Sequence, residues 1–169
     1  MSEPSVAAPP VDAPVVTAED LVGVVGDLWR SVSDDPEVED APVAAGWHPA
    51  GARLLRSTIG IEGAWDGDLV VSCAPGAAER WARAMLAMGD EDVVGEADAL
   101  DVLAEVANVV GGVVKAACAA GGRLGLPDAG VVEADAGPPA SPLVAVGMTW
   151  PDAAPGDEDA LFSLALVHR

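Results

Sequence analysis

The chain has 169 residues, enough for one domain around a single core. Its 8 Lys and Arg against 28 Asp and Glu give a formal charge of −20, which excludes an electrostatic grip on nucleic-acid phosphates or anionic membranes. Hydrophobic residues make up 51%, so the chain is not of the disordered acidic type; with no Tyr and one Phe, packing must rest on Ala, Val and five Trp. No apolar run reaches the roughly 18 residues of a membrane-spanning helix. The amino terminus lacks the basic region of a secretory signal, and a soluble, cytoplasmic protein is expected. Cys73 and Cys118 are too few for a disulfide framework or a thiolate metal site, and both sit in apolar patterns as buried thiols.

Residues 1–16 are rich in Pro and Ala and read as a disordered tail, leaving 17–169 as the folded domain. Thr17 begins a helix as its cap, with Asp20 three residues on and Leu21, Val24, Val25 and Leu28 at helical spacing up to Ser33. The stretch from Glu37 to Pro49 is irregular. Two strands, Leu55–Ala64 and Asp68–Cys73, then flank Trp65-Asp66-Gly67 as a hairpin. A three-residue loop with Gly67 left-handed would set Ile61 opposite Val71 and Ile59 opposite Cys73, apolar against apolar.

Pro75-Gly76 opens a second helix, Ala77 to about Met88, with Trp81 and Met85 on one face. After the acidic connector Gly89–Gly95, a third helix runs from near Glu96 to Gly121-Gly122. Strands are expected at Gly130–Ala134, Leu143–Trp150 and Leu161–His168. Helix, hairpin, two helices and then strands make an α+β, two-layer architecture: a mostly antiparallel sheet packed against long helices.

The third helix carries the chemical signal. At 100° per residue, Asp98, Asp101, Glu105, Asn108, Gly112 and Lys115 fall within an arc of about 100°. Leu100, Leu103, Val106, Ala107, Val110, Val113, Val114 and Ala117 take the other side. A solvated face on a core helix would show the same amphipathicity. Two details go further. Asn108 is a mediocre helix former in mid-helix, and Gly111 and Gly112 each cost about 1 kcal/mol there relative to Ala. Missing side chains suit either a close approach by a partner or close internal packing.

The run Asp101-Val-Leu-Ala-Glu105-Val-Ala-Asn108-Val-Val-Gly111-Gly112-Val-Val-Lys115 resembles the helix of the CheX/CheC chemotaxis phosphatases, whose signature is Glu-x-x-Asn followed by glycine and often lysine. The Ile59–Gly63 strand, the Gly67 turn, the Ala-rich helix with Met85 and Leu126-Pro127 stand in the CheX order around it. The resemblance covers roughly residues 17–169 and implies a CheC-like fold. It implies hydrolysis of the aspartyl phosphate on a CheY-like response-regulator receiver domain. Asn108 would orient the attacking water, and Glu105 would pair with the receiver's lysine. Asp101, Gly111, Gly112 and Lys115 would serve docking. Mg²⁺ would sit on the receiver, with no metal held by this chain. One Glu-x-x-Asn helix, as in CheX, implies one site; the first helix carries none. The alternative is a non-catalytic CheX-like module that captures a signalling partner. A homodimer through a sheet edge also fits the family.

Other candidates are weaker. Gly111-Gly112-Val-Val-Lys115 lacks the spacing and the Ser or Thr of a phosphate loop. His48 lies in a proline loop and His168 beside the carboxyl end, with nothing to pair with either. Glu62 and Asp66 read as solvated hairpin carboxylates, and Trp65 and Trp81 as core or cover residues.

Overall fold

A computed structural model describes residues 16–33, 41–118 and 121–169. The Pro/Ala-rich tail therefore lies outside the described residues except for Val16, which is buried at 7% exposure in the core. Helix α1 (Ala18–Val32) starts as its sequence dictates. The Thr17 hydroxyl accepts from the Asp20 amide, and the Asp20 carboxylate takes the Thr17 amide at 2.8 Å, closing a capping box. Leu21, Val25 and Trp29 form its buried stripe.

Among the described residues, seven strands form one antiparallel sheet: β1 (Val43–Ala45), β2 (Arg53–Glu62), β3 (Gly67–Cys73), β4 (Arg123–Leu124), β5 (Asp128–Glu133), β6 (Val144–Thr149) and β7 (Phe162–His168). The order is β1-β6-β7-β3-β2, and β4 and β5 share the outer edge of β2. Alternation sorts the faces. Leu55, Ile59, Ile61, Leu69, Val71 and Leu164 point to one side, where they meet α1, α2 (Pro75–Met85) and α3 (Glu96–Cys118). The fold is thus the α+β, two-layer arrangement expected.

Trp29, Trp81, Trp150 and Phe162 join α1 and α2 to the end of the sheet, with centroid separations of 5.1 Å for Trp29–Trp81 and 5.0 Å for Trp150–Phe162. Arg80 covers this cluster, its guanidinium 4.6 Å from the Trp150 ring centre and ion-paired to Asp152.

The hairpin departs from its expected register. Ile61 pairs with Gly67, Ile59 with Leu69, Ser57 with Val71 and Leu55 with Cys73. The loop is Gly63–Asp66, tied by the Gly63 amide donating to the Asp66 carboxylate at 3.0 Å. Gly67 is a strand residue with negative φ, not a left-handed turn residue. The cause is Trp65: its ring folds back over Gly67 and is buried, so a Cβ at Gly67 would collide with it. Apolar still faces apolar, because the displaced register conserves the two-residue period.

Smaller differences follow from tertiary context. The irregular stretch before Pro49 contains β1, and β4 lies between α3 and β5. Helix α2 ends at Met85, three residues early, where Ala87 adopts positive φ. Cys73 is buried as expected, but Cys118, at the last turn of α3, is half-exposed.

Candidate functional site

Helix α3 lies across the sheet with Leu103, Val106, Ala107, Val110 and Val114 buried against it. Its start is held by Arg53 pairing with Glu96 and by the Gly95 amide donating to Asp98 at 3.2 Å. Gly111 sets the distance to the sheet. A Cβ there would stand 3.1 Å from Ile59 Cγ2 and 3.2 Å from Leu124 Cδ1. Its missing side chain therefore serves the chain's own packing on β2 and β4, and it faces away from the polar stripe.

The stripe itself looks outward. Asp98, Asp101, Glu105 and Asn108 are exposed, and Gly112 and Lys115 are half-buried towards the helix end. A Cβ added to Gly112 would meet nothing within 4 Å, so open space lies over the backbone one turn beyond Asn108. Among the described residues, neither Glu105 nor Asn108 makes a side-chain hydrogen bond or ion pair. At i and i+3 their Cβ atoms stand about 5–6 Å apart, projecting together. The arrangement is a carboxylate and a carboxamide side by side on a buttressed helix. Val113 and Ala117, expected on the core side, are exposed instead, Val113 at 45%, because the apolar arc is wider than the surface covering it.

A feature not evident from sequence adjoins the stripe. Met85 and Leu86, at the end of α2, meet Val102 to floor a notch rimmed by Asp98, Asp101 and Glu105. Leu86 is 48% exposed. Its position depends on where α2 stops, and an apolar residue beside an acidic connector was the available hint.

The other sequence candidates scatter. Glu62 pairs with Arg123 at 2.8 Å, and Asp66 ties the hairpin loop. Trp65 and Trp81 are core residues. The His168 ring contacts the Arg169 backbone oxygen at 2.7 Å. His48 is buried on the opposite side of the sheet from α3, beside Leu54, Arg56 and Ser72. No cluster of three or more His, Cys, Asp or Glu residues suited to a metal ion occurs among the described residues. No helix there is long and apolar enough to cross a membrane.

A family model described as "Chemotaxis phosphatase CheX" matches residues 56–131. The chain carries the CheX resemblance. That match runs from β2 through α3 to β5, so it includes the whole polar stripe from Asp98 to Lys115. Solved structures share the fold over nearly the full length. The chemotaxis protein CheX from Desulfovibrio desulfuricans is 16% identical, with TM-score 0.58, covering 90% of this chain and 98% of its own. CheX from Vibrio vulnificus is 13% identical, with TM-score 0.59, covering 88% and 96%. A CheX–CheY–BeF3–Mg²⁺ complex from Borrelia burgdorferi matches at 13% identity and TM-score 0.55, covering 92% and 99%. No curated protein sequence matches the chain significantly.

Proposed function

We propose that this chain hydrolyses the aspartyl phosphate of a CheY-like receiver domain, through α3 docked on the receiver. The observation that carries the reading is Glu105 and Asn108 standing exposed and unpartnered, side by side, on the outward face of a helix packed on a CheX/CheC sheet. The CheX family match spanning them and the relative in complex with CheY, BeF3 and Mg²⁺ support it.

The chemistry follows from residue type. A carboxamide accepts a hydrogen bond from water with its oxygen and donates one to a phosphoryl oxygen with its nitrogen. It need not titrate, since phosphoryl transfer rests mainly on positioning and electrostatic stabilisation. Asn108 is the water-orienting residue. Glu105 pairs with a receiver lysine and sets the docking register, and Asp101 and Lys115 contact the receiver on either side. Gly112 leaves room for the receiver's backbone. Gly111 acts indirectly, by holding α3 close to β2. The receiver's own carboxylates hold Mg²⁺, which neutralises phosphoryl charge.

The test is decay of a phosphorylated receiver with Mg²⁺, with and without the protein. Wild type shortens the phosphate lifetime, and Asn108→Ala abolishes most of the acceleration. A lifetime unchanged by wild type overturns the reading. Binding of the phosphorylated receiver without acceleration would instead favour a capture module.

A further inference from the structure

A cavity lies on the face of the sheet opposite α3, away from the polar stripe. We propose that the cavity between the β1–β2 segment and the loop after β5 binds a small monocarboxylate, gripped by Arg56 and His48.

The cavity holds about 80 Å³, room for several waters or one small organic anion. Arg56, Ser72 and Ser163 rise from adjacent strands as its floor, and Trp47 and His48 form a wall. His48 is 4% exposed, yet neither ring nitrogen has a hydrogen-bond partner among the described residues. Buried polar groups are nearly always satisfied, and an unmet one calls for a ligand or ordered water.

Arg56 is the second observation. Arg30, Arg53, Arg80, Arg83, Arg123 and Arg169 each face a carboxylate. Among the described residues Arg56 makes no ion pair within 4 Å, in a chain with 28 acidic residues, although Asp135 lines the same cavity. Its Nε donates to Ser72 Oγ at 3.0 Å, which fixes the guanidinium and leaves the two terminal nitrogens without an acceptor among the described residues. A fixed guanidinium with free terminal N–H groups is suited to a planar carboxylate.

Burial, with a smaller push from the Arg56 charge, holds the His48 pKa below the ordinary imidazole range; the Ser72 backbone approaches outside hydrogen-bond geometry and opposes part of that shift. At neutral pH the ring is therefore uncharged, one nitrogen donating and the other accepting. Asp135 lines the same cavity and adds negative charge to that of the whole chain. A single positive charge under that field favours a monoanion over the phosphate dianion.

The chain has two histidines, His48 and His168, so imidazole NMR signals report the site directly, with His168 as internal control. In a carboxylate-free and phosphate-free buffer, sodium acetate should move the His48 signals saturably and leave those of His168 in place. Arg56→Gln should weaken acetate by about tenfold or more, the loss expected for a charge-assisted hydrogen bond. Arg56→Lys, which keeps the charge without the fork, should fall between and checks that a folded protein still discriminates. Inorganic phosphate in a parallel titration should bind more weakly than acetate. Absence of a saturable His48 response, equal affinity in the Arg56→Gln protein, or phosphate binding more tightly than acetate would each overturn the proposal.

Discussion

Alanine substitutions at Gly111 and Gly112 separate the two sides of α3, though the residues are neighbours in one helix. Either change removes a helix-interior glycine, worth about 1 kcal/mol of stability. At Gly112 the new methyl meets nothing within 4 Å, so that gain is kept. For a chain of 169 residues it raises Tm by about 2–4 °C. At Gly111 the methyl arrives 3.1 Å from Ile59 Cγ2 and 3.2 Å from Leu124 Cδ1. Ile59 is fully buried on β2 and has nowhere to move, whereas Leu124 lies half-buried at the sheet edge and can give. Overpacking of this kind costs about 1–3 kcal/mol, which cancels or exceeds the propensity gain. Gly111→Ala should therefore melt no higher than wild type, and at least about 1 kcal/mol below Gly112→Ala by urea titration. Activity should rank differently. Gly112→Ala, the more stable protein, should dephosphorylate the receiver more slowly if its methyl stands in the docking surface proposed above. Equal stabilisation by both alanines would refute the close packing of α3 on β2, and full activity in Gly112→Ala would refute a contact at that point.

On the proposed reading one residue acts on the water and the other on docking, so Asn108→Ala should lower kcat with little change in KM and Glu105→Gln should chiefly raise KM; steady-state kinetics with a continuously phosphorylated receiver distinguish them. Thr17→Ala should cost about 1 kcal/mol by removing the cap of α1, read from thermal melts. The Thr17 backbone and side-chain hydrogen bonds lower the Asp20 pKa, so this capping contribution is complete above the ordinary carboxylate pKa of 3.8 and is lost as pH falls through the folded value. The stability gap between wild type and Thr17→Ala should therefore narrow in acid. Burial raises the pKa of both thiols, far more for Cys73, so a disulfide reagent at pH 8 should modify Cys118 slowly and reach Cys73 on unfolding. Prompt native-state labelling in a Cys118→Ser protein would contradict the burial of Cys73.

What could be read without coordinates follows the range of the forces involved. Helix α1 was legible because Thr17 and Asp20 bond three residues apart. The faces of α3 were legible from the helical repeat. Strand faces were also legible, but the hairpin register was not. Pairing Ile61 with Val71 or with Gly67 satisfies the same alternation, and the choice falls to Trp65 folding over Gly67. Strands β1 and β4, three and two residues long, are too short to show a period. The outward stripe could be assembled from one helix, whereas the notch beside it needs the end of α2. The His48 cavity draws on three strands and two loops, and so left no local pattern.

On the proposed reading, the site needs no pocket of its own, because the receiver supplies the phosphate, the metal and the enclosure. This chain contributes two side chains whose positions must be held closely, since a displacement of about 1 Å can cost about 100-fold in rate. Behind them Val106, Ala107 and Val110 are packed against the sheet, so the core converts directly into placement. Orientation comes from charge. Asp98, Asp101 and Glu105 occupy the early part of the stripe and Lys115 its end, giving the docking face a direction along α3. A receiver whose lysine meets Glu105 is favoured in one sense along the helix. Turned end for end, that lysine would face Lys115, and the like charges would oppose it. The overall charge of −20 acts on every encounter alike, but the asymmetry of the stripe distinguishes a productive encounter from its reverse.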